Sequence, residues 1–290
     1  MTFASALATY PTLLFGCAAL LGLLVGSFIN VVAYRLPIML ERTWQEQISE
    51  SPSELASETF NLAVPRSRCP TCSTQLSAIE NVPVLSYLAL RGRCRHCGSA
   101  IPGRYPLVEL AASLISVLIV MTFGYTLSVL AYLIFAWCLL TASLIDLDHH
   151  LLPDDITLPL LWLGLLVAAT GLGLPEVSLF DSVVGAAAGY LILWSLFWAF
   201  LFATGKEGLG YGDFKLLAAL GAWLGWQALL PILLLSSLTG AVVGLALIAF
   251  GGRERSSPLP FGPFLAAAGF SMLVWGPKIL ALYAGLFTAL

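Results

Sequence analysis

Residues 127–172 read LSVLAYLIFAWCLLTASLIDLDHHLLPDDITLPLLWLGLLVAATGL. Leu127–Ile145 carries no charge, a polar segment from Asp146 to Asp155 follows, and Ile156–Leu172 is again uncharged. A helix needs about 20 apolar residues to cross the hydrocarbon of a bilayer. Two such runs around a short charged segment predict two spans joined by a loop at one membrane face. Working outward, similar runs lie near Leu13–Ala33, Leu107–Phe123, Leu179–Ala203, Phe214–Leu230, Ile232–Phe250 and Phe261–Leu286. The expected fold class is an all-α polytopic membrane protein of about eight transmembrane helices. The two runs that meet at Pro231 can also be read as one long kinked span.

Composition supports this architecture. The 290 residues are 59% hydrophobic and 10% charged, with a mean hydropathy of +0.92. A soluble core needs less apolar residue and tolerates more charge. The net charge of −3 leaves no basic footprint, so nucleic acid is not an expected partner. The first basic residue is Arg35, so the first run lacks the positive start of a secretory signal and reads as a retained anchor.

The basic residues set the orientation. Arg35, Arg42, Arg66, Arg68, Arg91, Arg93, Arg95 and Arg104 lie in or beside the first loop, Lys206 and Lys215 flank a later one, and Arg253 and Arg255 sit in another. With eight spans these loops share one side with the Asp146–Asp155 segment, and the positive-inside rule makes that side the cytoplasm. Both termini are then expected outside.

Three domains are expected: residues 1–36 as an N-terminal span, 37–106 as a polar cytoplasmic stretch, and 107–290 as seven membrane helices. The polar stretch has two parts. Glu41–Asn61 is an amphipathic acidic segment in which Ser51-Pro52-Ser53-Glu54 fits a helix-capping pattern. The second part holds Cys69-Pro70-Thr71-Cys72 and Cys94-Arg95-His96-Cys97. Two CxxC knuckles deliver four thiolates to one tetrahedral zinc, and a four-cysteine set leaves no open position, so the metal is expected to be structural. Gly98 suits the tight turn behind the second pair, and His96 reads as a surface residue between ligands. Cys17 and Cys138 fall within apolar runs and read as packing residues.

Two carboxylates stand out. Asp146 directly follows a long apolar run, where desolvation is costly unless a partner or a function offsets it. Asp148, His149, His150 and Asp155 read as hydrated loop groups, and the adjacent histidines point to different helix faces. The second carboxylate closes Gly208-Leu209-Gly210-Tyr211-Gly212-Asp213. Glycines let a backbone approach a ligand chain closely. A phosphate loop would not end in an acid, so Asp213 reads either as a helix N-cap or as a working acid. One ionised and one protonated carboxyl at a common site can activate water and protonate a leaving amine. No GxSxG stretch offers a serine nucleophile. Asp146 closes a helix and Asp213 opens one, so the macrodipoles predict that Asp146 holds the proton and Asp213 rests ionised.

These residues resemble the type 4 prepilin peptidases, membrane aspartic proteases with a GxGD motif. Gly210-Tyr211-Gly212-Asp213 is similar to that motif, and Asp146 to Pro153-Asp154 is similar to the family's D-x6-P-[DN] segment. Gly26-Ser27-Phe28-Ile29-Asn30-Val31-Val32-Ala33-Tyr34-Arg35-Leu36-Pro37 looks like the N-terminal signature. So do Asn81-Val82-Pro83 with Ser86-Tyr87, and Ile101 to Glu109. The resemblance implies catalytic roles for Asp146 and Asp213, with Gly210, Tyr211 and Gly212 supporting the loop. It implies an inner-membrane enzyme that removes the short basic leader of type 4 prepilins and pseudopilins at the cytoplasmic face. It also implies N-methylation of the new terminus from S-adenosylmethionine. No Rossmann-type loop marks a donor site in this chain, and no donor-binding residue is assigned. Asp148, Asp154 and Asp155 are candidates for drawing in the leader's positive charge. The competing readings are a zinc-dependent transporter, which would place polar groups near mid-bilayer, and a zinc-stabilised assembly module, which would need neither Asp146 nor Asp213.

Overall fold

The structure, a computed structural model, describes residues 7, 9–48, 59–77, 79–206, 208–251 and 259–288. The proposed capping pattern at Ser51–Glu54 and the pair Arg253 and Arg255 lie outside the described residues. Nine α-helices are described: α1 (Pro11–Ile48), α2 (Leu85–Ala89), α3 (Arg104–Phe123), α4 (Ser128–His149), α5 (Asp154–Ala169), α6 (Leu179–Thr204), α7 (Tyr211–Leu224), α8 (Leu229–Gly251) and α9 (Gly262–Thr288). Among the described residues there is no strand, only isolated bridges between Arg68 and Gln75 and between Arg93 and Ala100. Six helices, α1, α3, α4, α6, α8 and α9, are long and apolar enough to cross a membrane. The chain is thus a multi-pass membrane protein. The remaining expected spans correspond to α5, with 16 residues, and α7, with 14. The latter is about 21 Å long at 1.5 Å per residue.

The chain forms two compact units, residues 1–129 and 130–290. The sequence reading drew its last boundary at 107, whereas α3 belongs to the first unit, paired lengthwise with α1. Gly22 and Gly26 make this pairing possible. A Cβ on Gly22 would come within 2.5 Å of the Ser113 Cα, and one on Gly26 within 2.6 Å of the Glu109 Cα. Small residues four apart let membrane helices approach backbone to backbone. Ser113 Oγ donates to the Ala19 carbonyl at 3.0 Å, and Asn30 Nδ2 donates to the Tyr105 carbonyl at 3.2 Å. The α1 helix also continues through Pro37 to Ile48, beyond the end expected at residue 36.

In the second unit α7 is the central helix. Every residue from Leu216 to Leu224 is buried. Gly185 and Gly189 of α6 lie against the Gly221 and Leu217 carbonyls of α7. Trp223 packs at a tilt against Phe135, with centroids 4.8 Å apart, and its Nε1 donates to the Leu160 carbonyl at 2.8 Å. Buried Ser182 donates to the Ala222 carbonyl. The break between α7 and α8 falls at Gly225, whose φ is +77°, and not at Pro231. Pro231 sits in the first turn of α8, where its missing N–H costs no helical bond.

Candidate active site and metal centre

The polar stretch folds as two matched knuckles. Cys69 N–H donates to the Thr74 carbonyl at 3.0 Å, and Ser73 N–H donates to the Cys69 carbonyl at 2.9 Å. Cys94 repeats the pattern with Ser99 at 2.8 Å and Gly98 at 2.9 Å. The residue behind each CxxC has positive φ, +72° at Gly98 and +57° at Ser73. The sequence signalled the glycine but not the serine. The four sulfurs lie within 4.8 Å of one another, and Cys69 Sγ is 3.9 Å from Cys97 Sγ. Thiolates about 2.3 Å from a tetrahedral ion would be separated by close to that distance, so the four cysteines can hold one metal ion. The amides of Cys72 and Thr71, directed at Cys69, hold its thiol down to about 6. Such a shift favours the thiolate that a metal needs. His96 Nε2 lies 3.6 Å from Glu80 Oε1.

In the second unit, the last turn of α4 carries Asp146 and the first turn of α7 carries Asp213. They are 6% and 7% exposed, although each closes or opens its helix beside charged neighbours. The Asp146 carboxylate accepts the Gly262 N–H at Oδ2, 3.0 Å away. Asp213 accepts the Gly210 N–H at Oδ2, 3.2 Å away. Leu152 lies between the two loops. A Cβ on Gly212 would meet Leu152 Cβ at 2.6 Å, and one on Gly262 would meet Leu152 Cδ1 at 3.1 Å. The two acids are close enough that Asp146 acts electrostatically on Asp213. Asp213 Oδ1 is buried and has no hydrogen-bond partner among the described residues. Buried polar atoms are rarely left so, except where they serve chemistry. Tyr211 packs against Phe197 and Phe214, with centroids 5.2 and 5.4 Å away, which fixes the GxGD turn.

The loop acids differ from these two. Asp148, His149, His150, Asp154 and Asp155 are all exposed. Asp154 binds Lys215 Nζ through both oxygens, at 2.6 and 2.7 Å, so it ties α5 to α7 and is not a free negative charge. Gly262 is a site residue that the sequence reading missed. A Cβ there would lie 2.6 Å from Asp146 Oδ2. Its available signal was Gly262-Pro263 opening an apolar run, a helix-start pattern.

Residues 20–123 match the bacterial peptidase A24 N-terminal domain, and residues 133–245 match the type IV leader peptidase family. The chain belongs to the type IV leader peptidase family. It is 54% identical over 278 residues to a prepilin leader peptidase/N-methyltransferase of Aeromonas salmonicida, covering 94% of each chain. Proteins of the same description from Stutzerimonas stutzeri and Pseudomonas aeruginosa are 52% and 51% identical, with 98% and 96% of each chain covered. No solved structure matches the chain.

Proposed function

We propose that this protein is a membrane aspartic endopeptidase of the inner membrane. It removes the basic leader of type IV prepilins and pseudopilins at the cytoplasmic face and then N-methylates the exposed amine. The observation that carries the reading is the pair of buried carboxylates, Asp146 and Asp213, on neighbouring helix ends around Leu152. Each is oriented by one backbone amide. Asp213 Oδ1 is the oxygen with no bond to give up, so it takes the proton of water as that water attacks the scissile carbonyl. Asp146 then gives its proton to the leaving amide nitrogen. The helix dipoles favour this division of roles.

Cys69, Cys72, Cys94 and Cys97 would hold zinc as a fold-stabilising ion. S-adenosylmethionine would supply an electrophilic methyl group to the new N-terminus. A transporter reading has no specific support, because the buried acids sit at helix ends.

The test is to mix purified full-length enzyme with a prepilin and record product masses with and without S-adenosylmethionine. Leader loss in both samples, and a further methyl only with the donor, is the expected result. Intact prepilin in both would overturn the peptidase reading.

A further inference from the structure

The first unit has an open cavity of about 470 Å3 lined by α1, the cysteine knuckles and the start of α3. Small-molecule sites commonly occupy about 300–1,000 Å3 and combine apolar walls with a few placed polar groups. This cavity has that character. Tyr34, Tyr87 and Tyr105 line it, as do Arg68, Arg95 and Glu109.

Glu109 is only 8% exposed. Its Oε2 accepts the Val84 N–H at 2.7 Å, and the Ser27 hydroxyl also bonds to the carboxylate. Val84 itself has φ +59° and ψ −47°, a conformation that a β-branched residue avoids. Such strain persists where the surroundings over-determine it, often beside a ligand. Arg35, which also lines the cavity, is 8% exposed. It donates to the carbonyls of Asn61, Leu62 and Pro65 at 2.9, 3.3 and 2.6 Å. These bonds tie α1 to the 61–65 segment beside the cavity.

We infer that this cavity binds the methyl donor, an adenosyl sulfonium with an amino-acid tail, and that Glu109 favours the cationic donor over its neutral product. The inference rests on the methyltransferase part of the proposed function. A bipolar lining suits this ligand, which carries a sulfonium and an ammonium as well as a carboxylate. The tyrosine rings offer stacking to adenine and cation–π attraction to sulfonium. On transfer the methyl C–S bond breaks, a C–N bond to the new amine forms, the amine loses one proton to water, and the sulfonium becomes a neutral thioether. A buried carboxylate attracts the first sulfur state and not the second, so product leaves more readily than donor.

The test is equilibrium dialysis of S-adenosylmethionine and S-adenosylhomocysteine against the full chain in detergent. Wild-type protein is expected to bind both, with the sulfonium form tighter. Glu109→Gln should weaken the sulfonium form by about tenfold or more, equal to about 1.4 kcal/mol, and the thioether much less. Unchanged donor affinity in a Glu109→Gln protein of normal zinc content overturns the inference and leaves the methyltransferase reading standing. If Glu109→Gln does not fold, photo-crosslinking of methyl-labelled donor to wild-type protein decides. Label in peptides spanning 27–35 or 82–109 supports the site, and label confined to 130–290 overturns it. A wild-type enzyme that cleaves prepilin but neither binds nor crosslinks the donor sinks both the methyltransferase reading and this site.

Discussion

Gly262→Ala is the sharpest probe of how the acid pair is held. A Cβ at this position would sit 2.6 Å from Asp146 Oδ2, against an ordinary contact of at least 3.4 Å. The carboxylate, or the start of α9, must therefore shift by about 0.8 Å (3.4 − 2.6). A misplacement of about 1 Å costs a catalytic group on the order of a hundredfold in rate. Gly262 does not have a positive φ, and alanine suits the first turn of a helix better than glycine does. Any loss of stability should consequently be small, and the perturbation should fall on chemistry. Leader cleavage of a purified prepilin, followed by gel shift under single-turnover conditions, should slow by about a hundredfold with little change in substrate binding. Thermal unfolding should move by only a few degrees. Cleavage within threefold of wild type would show that Asp146 does not depend on this amide, and would refute the reasoning.

Further outcomes concern the acids, the metal, the Lys215–Asp154 pair and the topology. Asp146→Asn and Asp213→Asn should each abolish cleavage with zinc content unchanged, whereas exposed Asp148→Asn should keep substantial activity in the same assay. Elemental analysis should find one zinc per chain. Cysteine binds metal only as thiolate and protons compete for the sulfurs, so a chelator should strip metal faster at pH 5.5 than at pH 7.5. The Lys215–Asp154 pair is partly exposed and worth about 0.2–1 kcal/mol. Lys215→Asp should slow cleavage with little thermal shift, and adding Asp154→Lys should restore part of the rate; no rescue would deny the pair a positioning role. Cysteine labelling at Ser53 and Thr288 variants should report opposite membrane sides, and labelling of both from one side would break the eight-span arrangement.

The parts of the fold that were legible in the sequence are those written in local spacing. The apolar runs gave the helices, and two CxxC pairs gave the sulfur cluster. The isolation of Asp146 after a charge-free run pointed to a buried acid, which its 6% exposure matches. What escaped depends on approach between distant segments. Nothing local to Gly262 says that its amide meets a carboxylate 116 positions earlier. Nothing local to Gly22 and Gly26 says that the α3 backbone lies against them. Pro231 misled because a proline in the first turn of a helix gives up no helical bond, whereas α1 continues through Pro37 although an interior proline forgoes one. Gly225, with its left-handed φ, made the actual break. Asp154 looked like a free charge because its partner Lys215 lies 61 positions away.

The burial of α7 has a consequence for how this enzyme meets its solvent. A helix in contact with lipid must match the thickness of the hydrocarbon or deform it. At about 21 Å, α7 falls short of the roughly 30 Å of a typical bilayer, yet it needs no such match, because residues Leu216–Leu224 are buried in protein. Its neighbours α5, α6 and α9 act as its solvent. The medium around Asp213 is thus composed by the chain and not by whichever lipids surround it, and changes in acyl-chain length should reach the acid pair only through the helices that sheath it.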